Sequence, residues 1–272
     1  MEPDAPACAR RPELHFVCKF VAESLQPEQY CQVSKYFDAL DRACQASSPT
    51  YATREFGDAF RQSARDPDWL VNLLVSDADM EGYSASRLWE YAHTLLNTDL
   101  GGLMCRHAWD EAKHSRMFAE ILFLVFPSLD SPELRAELRS YSPVFSAIET
   151  ENSDGHVKDS SDELLNSLVL VNLFETKALI LAQLLKPVVV AYAPATVASK
   201  VSKMMDIIID DESRHIFYTA RELERLATSF ESEKAWQALA DFQQTMNEVT
   251  DGELEREALA SATEVSGVTS DG

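Results

Sequence analysis

The chain has 272 residues, 45 Asp plus Glu against 24 Lys plus Arg, and a formal net charge of -21 at pH 7. That length can bury one sizeable core or at most two small domains. The acid excess disfavours nonspecific binding to nucleic-acid phosphates and to anionic membrane surfaces, since both depend on clustered Lys and Arg.

Eight glycines and eleven prolines are few for this length. Long stretches carry apolar residues at helical spacing without turn signals, so the fold class is all-α. Cys8, Cys18, Cys31, Cys44 and Cys105 are odd in number and widely spaced. Without a Cys-x-x-Cys they encode neither a rubredoxin-type iron site nor a structural zinc site, and they are read as reduced thiols. The first fourteen residues lack the apolar region of a signal peptide. The longest apolar stretch, 178–193, is interrupted by Gln183, Lys186 and Pro187. It is too short and broken to indicate a membrane span. The expected location is cytoplasmic, with no nucleic-acid or membrane partner.

Residues 13–47 read as one or two amphipathic helices jointed at Pro27, and a short helix is expected over 51–64. His15 and Cys18 share a face there and are read as packing residues. A long helix follows over 69–96, with Asp77, Glu81, Ser84, Ala85, Leu88, Tyr91, Ala92 and Leu95 on its inward stripe. Asn97 to Gly102 is expected to be a turn. The next helix, over 103–126, carries Met104, His107, Ala108, Glu111, His114, Phe118, Ile121 and Val125 inward and stops at Pro127. Residues 128–162 form a crossover with a short helix over 131–141. Its acidic stretch 149–162, which includes His156, is expected to be exposed. A third long helix over 163–186 carries Leu168, Val171, Glu175 and Leu179 inward and is ended or kinked by Pro187. The fourth, over 196–226, carries Met205, Ile208, Glu212, His215 and Thr219 inward. A last amphipathic helix covers 231–260, ahead of a polar tail. The organisation is therefore flanking helices in 1–68, a four-helix bundle in 69–228, and a terminal helix and tail in 229–272, forming one structural domain.

Two stretches carry the chemistry: Asp110-Glu111-Ala112-Lys113-His114 and Asp211-Glu212-Ser213-Arg214-His215. Glu and His three apart on a helix lie on one face. Each motif has a further inward carboxylate upstream. Glu81 lies 30 residues before Glu111, and Glu175 lies 37 before Glu212. In antiparallel helix pairs these acids fall at matching heights; Glu90 is the alternative to Glu81. Four buried carboxylates would cost several kcal/mol each without compensation. Two divalent cations offset them, and Glu81, Glu111, His114, Glu175, Glu212 and His215 form an oxygen- and nitrogen-donor set for such ions.

On these residues the chain resembles the ferritin-like di-iron carboxylate superfamily, over about 69–126 and 163–226. The resemblance implies two irons bridged by Glu111 and Glu212, the carboxylates placed at the reacting centre. Glu81 and His114 complete one iron, and Glu175 and His215 the other; manganese suits the same set. It also implies that Asp110 fixes the tautomer of His215 and Asp211 that of His114, across the bundle. The alternative for these two Asp is a surface pairing with Arg106 or Arg214. His107, four residues before Glu111, is read as a buried residue beside the ligands, with ligation as the alternative. Some N-oxygenating relatives carry an added His before the second motif, where this chain has Ile208. Trp109 and Tyr218 are read as core packing rather than as electron carriers. Phe118 stands where ribonucleotide reductase small subunits have their radical-forming Tyr.

The function these features imply is a soluble di-iron oxidase or oxygenase that uses O2 to oxidise a small organic substrate. No flavin or nicotinamide fingerprint is present, so the expected electron donor is external. A homodimer is possible. The rivals are an iron-oxidising storage protein, a dimanganese catalase and a metal-free helical scaffold.

Overall fold

The computed structural model describes residues 14–95, 98–145, 161–229 and 232–267. Among them all regular structure is helical. In chain order the helices are α1 (Phe16–Ser24), α2 (Pro27–Gln32), α3 (Ser34–Ala46), α4 (Arg54–Ser63), α5 (Pro67–Thr94), α6 (Asp99–Val125), α7 (Pro132–Tyr141), α8 (Ser161–Tyr192), α9 (Ala198–Ser229) and α10 (Ser232–Gly267). The expected exposed stretch 149–162, with His156, lies almost wholly outside the described residues.

The chain divides into two compact units: Met1–Gln62, Leu165–Ile180 and Thr219–Gly272 form one, and Ser63–Leu164 and Leu181–Tyr218 the other. In the first, α3 packs on α10 and on α1. Val17, Val21, Val33, Phe37 and Leu40 are fully buried there. Buried polar groups are satisfied: the Tyr36 hydroxyl donates to Asn172 Oδ1 at 2.6 Å, and Asn172 Nδ2 donates to Thr219 Oγ1 at 2.8 Å. Asn247 on α10 accepts from Thr50 N–H and donates to Ser47, tying the α3–α4 connection down. His15 caps α1, its Nδ1 accepting from Val17 N–H. Cys18 and Cys44 are buried, and their shared hydrogen bond, with burial, pushes the Cys18 thiol well up. Cys31 is disulfide-bonded, which corrects the expectation of uniformly reduced thiols.

The second unit is organised by α5 and α6, which pack on each other along their lengths. Asp66 caps α5 ahead of Pro67, and Thr98 caps α6 by accepting from Gly101 N–H. That cap places Gly101 and Gly102 inside the helix rather than in the expected turn. Gly101 is needed there, because a Cβ would sit 2.3 Å from the Leu95 carbonyl oxygen. The end of α7 presses on α5 just as closely. A Cβ on Gly82 would sit 2.0 Å from the Tyr141 carbonyl oxygen. Ser142 follows directly and donates to the Ala112 carbonyl, and Ser115 donates to the Ala78 carbonyl, at 2.8 and 2.7 Å.

Two further boundaries differ from the sequence reading. Pro187 does not end α8, which runs five residues past it. Leu185 and Val189 on either side are buried, and that packing outweighs the single backbone hydrogen bond the ring removes. α10 continues to Gly267 through a run rich in Ala and Glu, both strong helix formers. By length and composition alone α8 could cross a membrane, with a window of mean hydropathy 1.7. Of that window 56 % is buried inside the protein, the setting of a core helix.

Candidate metal centre

His107, Glu111 and His114 lie at i, i+4 and i+7 on α6 and form one buried stripe. Glu212 and His215, one turn apart on α9, are buried as well. Glu81 approaches from α5, its side chain 15 % exposed. One donor atom each from Glu81, Glu111, His114 and Glu212 lies within 4.8 Å of all the others. Glu90, the alternative to Glu81, pairs with Arg87 at the surface, 65 % exposed. Glu175 is buried on α8, in the first unit.

The two central carboxylates stand between two imidazoles. Glu111 Oε1 is 3.4 Å from His114 Nδ1 and 3.5 Å from His215 Nδ1. Glu212 Oε1 is 3.4 Å from His114 Nδ1, and its Oε2 is 3.7 Å from His215 Nδ1. Glu81 Oε2 is 3.7 Å from His114 Nδ1. Glu111 Oε1 and His114 Nδ1 are buried and have no hydrogen-bond partner among the described residues. Buried polar atoms are nearly always bonded, so this pair needs a reason. Donors bound at about 2.1 Å to one ion lie roughly 3.0–3.4 Å apart. The two 3.4 Å spacings of His114 to Glu111 and Glu212 reach the upper end of that range, and the 3.5 and 3.7 Å spacings are slightly wider, as in a cluster that an ion would draw together. The donor set can therefore hold a metal ion.

The outer nitrogens are held crosswise. His114 Nε2 meets Asp211 Oδ2 at 3.0 Å, and His215 Nε2 meets Asp110 Oδ2 at 3.4 Å. Each Asp also meets cations. Lys113 Nζ lies 2.6 Å from Asp211 and 3.7 Å from Asp110. Arg214 bonds Asp211 and lies 3.7 Å from Asp110. The surface pairing with Arg214 thus coexists with the imidazole contact, and Arg106 takes no described part in it. Lys113 was not singled out from the sequence, because it lies off the buried stripe and its nearer partner, Asp211, is on another helix.

Without a cation the cluster balances its charge with protons. Burial, then the neighbouring Glu111 charge, pushes the Glu81 carboxyl well up. Burial opposes ionisation of Glu111, but His107 and His114 outweigh it and hold it well down. Burial likewise opposes charging of His114, yet Glu111 and Glu81 raise it well above the usual imidazole range. Burial raises Asp110, and His215, Lys113 and Arg214 overcome that to hold it below the usual carboxylate range. One turn before Glu81, Asp77 is pushed up to about 7 by burial alone.

Of the two aromatic residues read as core packing, Trp109 departs from that reading and Tyr218 agrees with it. Trp109 is 53 % exposed and packs edge-on to Trp89 and Phe145 rather than in the core. It lies two residues before Glu111, on the opposite side of α6. Tyr218 is buried, and its hydroxyl lies 2.8 Å from His107 Nδ1. Comparison of the chain with family models, with curated proteins and with solved structures found no match.

Proposed function

We propose that the protein is a non-haem di-iron oxidase or oxygenase of the ferritin-like type, which uses O2 to oxidise a small organic substrate. The observation that carries this reading is the facing pair of Glu-x-x-His motifs. Glu111 and Glu212 each stand between the inner nitrogens of His114 and His215, in a buried and sulfur-free donor set. Such a set suits Fe(II) or Mn(II). In this assignment Glu81 and His114 would hold one ion and His215 the other, with Glu111 and Glu212 serving both, and Glu175 completes the expected ligand set. Glu175 enters through its sequence position and its burial on α8.

Bound iron would supply the redox chemistry and the activation of O2, with electrons from an external donor. The protein's own residues do the positioning. Asp211 and Asp110 accept from the outer ring nitrogens, which fixes the tautomer that turns each Nδ1 lone pair inward. Glu111 and Glu212 together offer four oxygens, so each can change how it holds an ion without moving the backbone. The α5–α6 pair, locked by Gly82, Ser115 and Ser142, keeps Glu81 level with Glu111.

Anaerobic loading with Fe(II), followed by metal analysis and O2-uptake measurement, tests the reading. The expected result is about two irons per chain, O2 consumption on exposure to air, and loss of both in Glu111→Ala. Less than one metal per chain, unchanged by that substitution, overturns it. A manganese preference with peroxide breakdown, or iron retention in a large hollow assembly, would replace it by a catalase or a storage role.

A further inference from the structure

The third imidazole of the α6 stripe is unused by the assignment above. His107 is 1 % exposed and lies one turn before Glu111. Its Nε2 is 3.4 Å from Glu111 Oε1. That oxygen is the one faced by His114 Nδ1 at 3.4 Å and by His215 Nδ1 at 3.5 Å. One carboxylate oxygen is therefore faced by three imidazole nitrogens, at 3.4, 3.4 and 3.5 Å. The rings also share a second feature. Each has its outer nitrogen on an oxygen: Asp211 for His114, Asp110 for His215, and the Tyr218 hydroxyl for His107 at 2.8 Å. A ring N–H fixed on an outer acceptor turns the other nitrogen's lone pair inward. The His107 ring stacks on that of His215, centroids 3.6 Å apart and planes inclined by 26°. Their inner nitrogens are thereby brought to the same carboxylate oxygen.

We infer that His107 is itself a metal ligand, sharing with His215 the ion on that side of Glu111, with Tyr218 as the residue that positions its ring. The inference rests on the metal-centre reading above and deepens it. A packing histidine has no need of the inward nitrogen geometry that His114 and His215 share. The matching place on α9, four residues before Glu212, is the buried apolar Ile208. The two metal positions are therefore chemically unequal. The Glu81 position has one imidazole among carboxylates and favours an oxygen-seeking ion. The His107 position has two imidazoles and favours a nitrogen-seeking one, Fe(II), Co(II) or Zn(II) over Mn(II).

Co(II) is the probe, bound to the full chain without air. The expected titration has two unequal phases. The expected proton spectrum of the loaded wild type has three paramagnetically shifted, solvent-exchangeable imidazole N–H signals. His107→Gln should remove one signal and weaken one of the two equivalents by about tenfold or more, leaving the other unchanged. Tyr218→Phe should keep both equivalents and accelerate solvent exchange of the same N–H signal. Two N–H signals in the wild type overturn the inference even if the variant misfolds, and so does wild-type Co(II) binding in a folded His107→Gln protein. In both cases the rest of the centre stands. Failure of the wild type to bind Co(II) at all overturns the centre and the inference together.

Discussion

Asp77 illustrates what a single half-buried group does when no partner charge offsets its burial. Burial raises its carboxyl from an ordinary value of 3.8 to about 7. The folded protein then holds a proton that the unfolded chain releases near its ordinary value. This contribution to stability is fully present below about pH 4 and is lost as pH rises through 7. In chelator-treated protein, Asp77→Asn should remove that fall, so its melting temperature gains on the wild type most above pH 7. Parallel thermal melts at pH 5 and pH 8 check this; an equal difference at both values counts against it. The residues of the α6 stripe were legible because their spacing alone puts them on one face. Asp77 was legible as an inward residue, but its protonation was not. That depends on how completely neighbouring helices enclose it, and spacing carries no record of enclosure.

At the scale of elements, glycine positions decide how closely the helices meet. Gly82 lies under the Tyr141 carbonyl, where a Cβ would be 2.0 Å from backbone. Gly82→Ala should destabilise the protein by about 2–4 kcal/mol, because rigid backbone must move to admit the methyl group. Gly252→Ala on α10 is the control. A Cβ there meets nothing within 4 Å, and the substitution should be neutral or stabilise by up to about 1 kcal/mol. Urea unfolding of both variants separates these outcomes. The long helices could be read from apolar periodicity, whereas the stretch read as one or two helices over 13–47 forms three, α1, α2 and α3. The ends of the long helices could not be read as well, since proline and glycine mark a boundary only when packing does not overrule them. Pro187 stays helical between buried Leu185 and Val189, and Gly101 sits inside α6 because the Thr98 cap comes first. The contacts of Lys113 with Asp211 and of Tyr218 with His107 were not legible for a related reason. Both act across a helix crossing whose angle is not encoded in any one stretch.

At the scale of the whole molecule, the cluster links folding, metal and pH. Cations that bind only the folded form add stability as their free concentration rises. The gain is about 2.7 kcal/mol at a hundredfold excess over the dissociation constant. Stripping metal with a chelator should therefore lower the melting temperature of the wild type and leave Glu111→Ala unmoved. As ligands of the proposed centre, Glu81 and His114 would also have to give up the protons that burial and neighbouring charge keep on them. Binding should then release protons, and affinity should rise with pH. Titration calorimetry with Mn(II) in two buffers of different ionisation enthalpy measures this release; identical heats would contradict it.

The crossed contacts of Asp110 and Asp211 have a consequence at longer range. Each links an inner ring to Lys113 and Arg214, whose side chains are 38 % and 60 % exposed. In the proposed centre, the electron-donating strength of the deepest imidazoles would therefore respond to what happens at the water boundary. Dissolved anions that compete for those two cations would act on each ring through one carboxylate. A centre this enclosed is not insulated from the ionic composition of its surroundings.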